Sequence, residues 1–229
     1  MKALLYKEFK LAMHPICYIF IAFFPFMILI PSYPIAIGFI YVLTCYPILF
    51  LGANKGQQSN DLLFSTLLPV RKKDIVLARI ITVVIMQVSF IAIMSCLYPL
   101  ASISRDYITQ QAIAAGEKIP SDAGFGLNAY TSVLAFAIIG YALADLIYFA
   151  IYYKRGKSIV ASTLLTILGF VAYLGIFTIG LPFVPAYGNF FSNNIWIQIG
   201  FLGVALVVSV LLHFVVYKVA SKELERVDF

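Results

Sequence analysis

Charged residues are scarce in this sequence. Only 11% of its 229 residues are charged, whereas 62% are hydrophobic and the mean hydropathy is +0.98. A water-facing surface cannot be built from this composition, which excludes an ordinary soluble protein and indicates an integral membrane protein. Lipid offers the backbone no hydrogen-bond partners, so each crossing of a hydrocarbon core about 30 Å thick takes about 20 residues of helix.

Cysteine and histidine are scarce as well. Cys17, Cys45 and Cys96 lie inside apolar runs, and their odd number argues against a disulfide framework. His14 and His213 cannot supply a zinc site of the His-Glu-x-x-His kind. We therefore expect no disulfide and no metal site.

The residues needed for catalysis are also missing. A phosphate-binding P-loop needs Gly-x4-Gly-Lys-Ser/Thr, and residues 156–158 read Gly-Lys-Ser, but Ile151 stands where the first glycine is required. An intramembrane aspartyl protease needs two carboxylates within the spans, whereas Asp145 is the only one. Ser209 and His213 are one helical turn apart, yet no Gly-x-Ser-x-Gly elbow accompanies them. We expect no catalytic residue and no cofactor bound by this chain.

Apolar runs punctuated by prolines predict six transmembrane helices in one domain, residues 1–229. The predicted spans are residues 16–31, 34–53, 75–101, 127–153, 158–181 and 195–217. The first run is short and the second contains Pro47, so the pair could instead form a re-entrant hairpin, leaving four full spans. In the external loop 102–128, we expect Ser104 to begin a short outer helix that Gly116 ends.

Basic residues predict the orientation. With both termini in the cytoplasm, only Arg105 and Lys118 of the 16 lysines and arginines lie outside. Such a positive-inside bias sets topology in membrane proteins. The net charge of +6 therefore indicates contact with anionic lipid at the inner face and not with nucleic acid.

Two segments are amphipathic. The N-terminal segment predicts an interfacial helix, with Lys7 and Lys10 on a face opposite its apolar residues. The inner loop after the second span predicts a helix over residues 60–69, with Phe64 and Leu67 on its apolar arc and Asp61 opposite. This second helix could lie against lipid or dock in a groove of a partner protein.

A family resemblance follows from these segments. Residues 60–79, NDLLFSTLLPVRKKDIVLAR, resemble the loop after the second span in small type-2 ATP-binding-cassette (ABC) exporter permeases. The order is a short helix, Leu-Pro, a basic cluster and Val-x-Ala-Arg. The start, MKALLYKEFKLAMHP, resembles the interfacial connecting helix of that family, and the six-span layout agrees. In detail the chain is most similar to permeases of phenol-soluble modulin exporters.

The resemblance implies an all-α permease of the type V exporter kind in a bacterial plasma membrane. A cytoplasmic coupling helix would dock on a separate ABC ATPase, which binds ATP and Mg²⁺, and a second permease copy would complete a homodimer. The substrates would be amphipathic or hydrophobic, with cytolytic peptides such as phenol-soluble modulins first, exported by alternating access. The implied coupling segment comprises Asp61, Leu62, Phe64, Ser65, Leu67, Leu68 and Pro69. The predicted cytoplasmic anchors are Lys7, Lys10, Arg71, Lys72, Lys73 and Arg79.

Asp145 is the one carboxylate placed within a span, where an ionisable group should have a partner. It shares a face of the fourth span with Tyr141. By depth its partner could be Gln87 or Thr82 on the third span, or Thr166 on the fifth. Its role could be a hydrogen bond between spans, a polar spot on the substrate path or a proton-linked site.

Small residues recur on the fifth span. Gly169, Ala172 and Gly175 allow a second helix to approach closely, either within one chain or, where the resemblance places a subunit contact, from a second copy.

A partnerless channel, or an immunity protein that binds a membrane-active peptide, is the alternative function from another class of protein. Co-purification of an ATPase would separate these functions.

Overall fold

The computed structural model describes residues 2–13, 15–29, 69–116, 130–154, 159–176 and 194–226. These residues are helical apart from short turns, and no β-strand occurs among them. The helices are α1 (Lys2–Lys7), α2 (Pro15–Phe23), α3 (Lys72–Ala114), α4 (Tyr130–Lys154), α5 (Ile159–Gly175) and α6 (Ile195–Glu225). A π-helix, Glu8–Ala12, follows α1, and a 3₁₀ helix, Phe24–Leu29, follows α2.

Three of these helices, α3, α4 and α6, are long and apolar enough to cross a membrane. A fourth crossing results if the bent pair Lys2–Lys10 and Pro15–Leu29 counts as one broken span, and Ala161–Gly175 is a shorter apolar helix. A multi-pass membrane protein that is all-α in the described parts of the chain is therefore confirmed. The predicted second span, residues 34–53, lies outside the described residues, so the six-span count and the orientation stay predictions.

The N-terminal segment turns sharply at Met13. The Met13 backbone is extended, and the Met13 N–H donates to the carbonyl of Glu8, five residues earlier, at 2.9 Å. This i to i+5 spacing is that of a π-helix. Pro15 then opens α2, where the missing N–H costs nothing. The Tyr18 hydroxyl donates to the Phe9 carbonyl at 2.6 Å and fixes the turn. The two arms meet at 82°, so if one crosses the membrane the other lies near its plane, as the predicted interfacial helix requires.

Helix α3 is longer than a membrane crossing needs. Its 43 residues extend about 65 Å, roughly twice the hydrocarbon thickness. The predicted separate outer helix is wrong, because α3 runs without a break through Ser104, whose hydroxyl donates to the Ala101 carbonyl at 3.0 Å instead of capping a new helix. The predicted stop is confirmed: Gly116 has φ +72°, the left-handed conformation that commonly ends helices.

Helix α4 is the centre of the described bundle. In its apolar stretch of 18 residues, 56% of the residues are buried, whereas only 11% are buried in the corresponding stretch of α6. It packs most extensively on α6 and α5, while α3 packs on the 3₁₀ helix and α6. Buried side chains of α2, α3, α4 and α6 form one continuous apolar core. Polar side chains of α3 and α6 therefore find partners on α4: Gln87 and His213 contact Asp145, and Arg79 contacts Tyr152.

Glycines set the contact between α4 and α5. A Cβ at Gly140 would lie 2.6 Å from Phe170 Cε2, and a Cβ at Gly169 would lie 2.6 Å from Ile147 Cδ1. Of the predicted small-residue strip, only Gly169 makes such a contact with the described residues. Ala172 is exposed, and a Cβ at Gly175 would meet nothing within 4 Å. A role for these two residues in a subunit contact stays a prediction.

Candidate functional site

A cavity of about 730 Å³ lies between α3, α4 and α6, and we call it the central cavity. Its walls are one face of α3 between Leu77 and Ile91, Ile138 and Tyr141 of α4, and one face of α6 between Leu206 and Tyr217. Most of these side chains are aliphatic. Val88 and Val210 are exposed, so the cavity opens at the surface of the described bundle. Its volume falls within the range of about 300–1,000 Å³ typical of small-molecule sites.

Three side chains from three helices meet beside this cavity. Asp145 of α4 is fully buried. Gln87 of α3 donates from Nε2 to both Asp145 oxygens, at 3.3 and 3.1 Å. His213 of α6 places Nε2 3.1 Å from Asp145 Oδ2. Gln87 and His213 both line the cavity, so we call this cluster the Asp145 site. It joins the three helices through one carboxylate.

The other ring nitrogen of His213 faces its own helix. Nδ1 lies 2.8 Å from the Ser209 carbonyl oxygen and 3.4 Å from the Ser209 hydroxyl. Tyr141, one turn before Asp145, lines the same cavity and stacks on Phe170 with ring centroids 6.5 Å apart. The His213 ring is thus oriented by Ser209, and the neighbouring cavity wall is fixed by the contact of Tyr141 with Phe170.

Among the three partners proposed for Asp145, the structure brings Gln87 to it. The other two bond within their own helices: the Thr82 hydroxyl donates to the Ala78 carbonyl at 2.9 Å, and that of Thr166 donates to the Ser162 carbonyl at 2.7 Å. Sequence reasoning missed His213, because it related that residue only to Ser209. An ionisable side chain in the middle of an apolar run was the signal that could have found it.

A second buried cluster joins α1, the π-helix, α3 and α4. Glu8 Oε2 accepts from Arg79 Nε at 3.3 Å, and Glu8 Oε1 lies 3.4 Å from Lys7 Nζ. Arg79 also donates from Nη1 to the Tyr152 hydroxyl at 3.1 Å. Glu8 and Arg79 are each 2% exposed and Lys7 is 7% exposed. We call these four residues the Glu8 cluster.

The Glu8 cluster corrects the predicted anchors. Lys7 and Arg79 were expected to present their charges at the inner membrane surface, but both are buried against the Glu8 carboxylate. A buried charge needs a partner of opposite sign, and the positive-inside argument counts only basic residues. It therefore cannot distinguish a lipid-facing cation from an internally paired one.

The other predicted anchors stay at or near the surface. Lys10, Arg71 and Lys73 are exposed, and Lys72 is partly exposed. Lys73 Nζ lies 3.2 Å from Glu225 Oε1 at the end of α6, in a half-exposed ion pair. Contact of these residues with anionic lipid stays a prediction.

The predicted coupling segment lies almost wholly outside the described residues. This applies to Asp61, Leu62, Phe64, Ser65, Leu67 and Leu68. Pro69 is described and exposed, two residues before Arg71, the N-cap of α3. The segment thus leads directly into the helix that carries Arg79 and Gln87. In the described parts of the chain, no three His, Cys, Asp or Glu side chains form a group that could hold a metal ion.

The comparison with protein families adds an independent finding. A family model described as "ABC-2 family transporter protein" (ABC2_membrane_5) matches residues 3–222. The match covers every described helix apart from Lys2 of α1 and the last turn of α6. No curated protein and no solved structure matches the chain.

Proposed function

Since the chain belongs to the ABC-2 family of transporter proteins, we propose that this ABC transporter permease is an exporter that moves amphipathic or hydrophobic substrates outward by alternating access. Permeases of this family generally work with a cytoplasmic ATPase. The family match is the observation that carries the proposal. The sequence agrees with it, because no P-loop is present and the ATP chemistry must be done by another subunit. ATP and Mg²⁺ would bind that subunit.

The substrate class is suggested by the resemblance of residues 1–15 and 60–79 to phenol-soluble modulin exporter permeases. Amphipathic cytolytic peptides of that kind are the first candidates, and other antimicrobial peptides, lipids or drugs follow. The central cavity supports an amphipathic substrate, because its walls are mainly aliphatic while Gln87 and His213 offer polar groups. Such a mixture binds a molecule with one apolar and one polar part.

The assembly would contain two permeases and two ATPases. The coupling helix over residues 60–69 would insert its apolar arc, including Phe64 and Leu67, into a groove on the ATPase. Its movement would pass through Pro69 into α3, which bears one side of the Glu8 cluster and of the Asp145 site. ATP-driven motion would therefore reach both clusters through a single helix.

A pull-down tests this proposal. The tagged permease is purified from cells that co-express an ABC ATPase subunit, and the bound ATPase and its hydrolysis rate are measured. Phe64→Asp and Leu67→Asp should each abolish ATPase recovery, because a charge on the docking arc opposes burial in a groove. Ile113→Asp is the matched control, since Ile113 is exposed at the opposite end of α3 and should leave recovery unchanged.

A permease that never recruits a nucleotide-binding subunit would overturn the exporter function. That outcome would support the alternative of a partnerless channel or an immunity protein. Recovery of the ATPase by all three variants would instead refute the coupling segment and leave the exporter function standing.

A further inference from the structure

A second pocket lies in the bend between the N-terminal arm, residues 2–10, and α2, and we call it the elbow pocket. It has a volume of about 330 Å³ and is open to the surroundings. Six side chains line it, three polar and three apolar: Tyr6, Lys10, Tyr18, Phe9, Met13 and Pro15. None of them belongs to the Asp145 site or to the Glu8 cluster. The elbow pocket is therefore a separate feature of the N-terminal segment.

Lys10 is the charged residue of the elbow pocket. Its Nζ donates to the Tyr6 hydroxyl at 2.6 Å and lies 5.1 Å from the centroid of the Tyr6 ring. An ammonium group has three N–H groups, so two remain for a further acceptor. The Tyr6 oxygen accepts from Lys10, so the hydroxyl hydrogen is directed to another acceptor. Both side chains can therefore donate to one ligand.

The nearest carboxylate in the sequence does not neutralise Lys10. Glu8 is 2% exposed, and its two oxygens contact Arg79 and Lys7. Among the described residues, no carboxylate forms an ion pair with Lys10, which is exposed. A cation beside a second hydrogen-bond donor is complementary to an anion with oxygen acceptors. The ligand that fits these groups is thus an anion such as a phosphate.

The position of the elbow pocket indicates that the phosphate belongs to a lipid. The two arms meet at 82°, so where α2 enters the hydrocarbon the first arm lies along the headgroup region. Ile19 and Phe23 follow Pro15 at intervals of one turn on the same side of α2, and both are exposed. A lipid can therefore place its headgroup at Lys10 and a hydrocarbon chain along α2.

We propose that the elbow pocket binds one anionic phospholipid, with Lys10 and the Tyr6 hydroxyl donating to its phosphate oxygens and an acyl chain lying on Ile19 and Phe23. The predicted orientation places this lipid in the inner leaflet, which carries the anionic lipids. The site differs from a general attraction of basic residues to the membrane surface, because it has one position and one stoichiometry. It does not depend on the export function.

Two other occupants fit the elbow pocket less well. A free phosphate ion would contact Lys10 but would leave the apolar stripe of Ile19 and Phe23 uncovered. A second copy of the chain that met this pocket across a two-fold axis would bring the Lys10 side chains of both copies together. Like charges repel at such a contact, whereas a phospholipid satisfies the charge and the stripe at once.

Native mass spectrometry of the purified full chain tests the site, because it resolves each bound lipid and the oligomeric state. The permease in detergent is titrated with dioleoyl phosphatidylglycerol, or with dioleoylglycerol, which has the same chains and no phosphate. We expect saturable binding of one phosphatidylglycerol per chain, about tenfold tighter than that of dioleoylglycerol. Inorganic phosphate, which has the charge without the chains, should not displace the lipid.

Variants locate the phosphate contacts. Lys10→Gln should weaken binding of phosphatidylglycerol by about tenfold and leave binding of dioleoylglycerol unchanged, because it removes a charged hydrogen bond and no apolar contact. Tyr6→Phe should weaken it by a smaller factor, because Lys10 remains. Lys2→Gln is the matched control: it removes the same charge from an exposed position of the same helix, but Lys2 does not line the pocket. Binding to this variant should equal that of the unaltered chain.

Equal affinity of the unaltered chain for phosphatidylglycerol and dioleoylglycerol would overturn the proposal, and this comparison needs no variant to fold. Equal weakening by Lys2→Gln and Lys10→Gln would also overturn it, because it would show a general attraction between a basic segment and anionic lipid. Displacement by inorganic phosphate would show a site for a soluble anion instead. A dimer that excludes phosphatidylglycerol would show that a second copy covers the pocket. None of these results involves an ATPase, so they leave the exporter function to its own test.

Discussion

The guanidinium of Arg79 lies 3.3 Å from the carboxylate of Glu8, and both side chains are almost completely buried. The pair joins two residues 71 positions apart in the chain. Because Arg79 also donates to the Tyr152 hydroxyl, the N-terminal segment is attached to α3 and α4 at one point. The N-terminal helix is thus part of the bundle and not only a lipid-facing anchor.

Removing one partner of this pair should destabilise the protein strongly. Arg79→Gln leaves Glu8 buried with only Lys7 at 3.4 Å to compensate it. Uncompensated charges of this kind cost about 3–5 kcal/mol, and the remaining lysine places the expectation near the lower end. The double variant Glu8→Gln with Arg79→Gln should be the less stable of the two, because the buried Lys7 then loses the Glu8 carboxylate. Thermal unfolding in detergent, with and without the second substitution, measures the difference.

Lys73→Gln is the control for removing a positive charge from an ion pair that is not buried. Its pair with Glu225 is half exposed, and exposed pairs contribute at most about 1 kcal/mol. Equal destabilisation by Arg79→Gln and by the double variant would show that the buried Lys7 does not depend on the Glu8 carboxylate.

Sequence patterns predicted the helices better than they predicted which side chains contact one another. Hydropathy located α4 and α6 to within a few residues at their N-termini, and the helical period placed Tyr141 and Asp145 on one face. The pairing of Asp145 with His213 depends on the relative depth and rotation of two spans. A helix that is apolar around its whole circumference carries no stripe from which its rotation can be deduced. Three candidate partners therefore remained equal until the helices were placed.

Local signals had a similar limit at Ser104. A serine before a helical stretch is a good N-cap, but a serine within a helix satisfies its hydroxyl equally well on a carbonyl one turn back, as Ser104 does on Ala101. The surrounding residues continue the helix, and nothing local decides between the two. Gly116 was predictable because only glycine adopts its positive φ without strain.

Asp145→Asn should separate a structural role from a transport role. An asparagine amide can still accept from Gln87 and can donate to His213 Nε2, so the bundle should assemble and recruit its ATPase. If Asp145 contributes a polar spot to the substrate path, export should nevertheless be lost, because the amide carries no negative charge. Efflux from cells and ATPase co-purification, measured on the same variant, check the two halves of this expectation.

Two further variants serve as comparisons for Asp145→Asn. Gln87→Leu deprives Asp145 of a donor that reaches both its oxygens and should cost about 1–3 kcal/mol of stability. Thr82→Val removes a buried hydroxyl that bonds only to Ala78 in the same helix and should leave export intact. Normal export by Asp145→Asn would reduce the Asp145 site to a hydrogen bond between spans.

Gly140→Ala should loosen the packing of α5 on α4. The new methyl would lie 2.6 Å from Phe170 Cε2 and 3.0 Å from Tyr173 Cε1, so the rings must move. Overpacking of this kind costs about 1–3 kcal/mol, against a gain of about 1 kcal/mol in helix propensity. We expect a net loss in thermal stability that Phe170→Leu partly restores in the double variant.

The matched control is Gly203→Ala on α6, where a Cβ would meet nothing within 4 Å. This variant should be neutral or slightly stabilising, since it gains helix propensity without a clash. A Gly140→Ala protein as stable as the unaltered one would show that the two helices can separate at no cost.

Cysteine labelling should place the two ends of α3 on opposite sides of the membrane. Lys73 and Gln110 are separated by 37 residues of continuous helix, about 55 Å, which exceeds the hydrocarbon core of about 30 Å. In a chain lacking Cys17, Cys45 and Cys96, Gln110→Cys should react with a membrane-impermeant maleimide in intact cells. Lys73→Cys should react only after permeabilisation, because the positive-inside bias places that end in the cytoplasm.

The same assay extends to the segment before α3. Ser32 lies outside the described residues, and six spans require that a cysteine there be labelled from outside. Labelling from the inner side would instead favour the re-entrant pair and four full spans. Because both layouts bring α3 into the membrane from the cytoplasm, the result at Ser32 decides the number of spans while Lys73 and Gln110 independently decide the orientation. Labelling of Lys73→Cys in intact cells would overturn the orientation in either layout, and with it the docking of a cytoplasmic ATPase on residues 60–69.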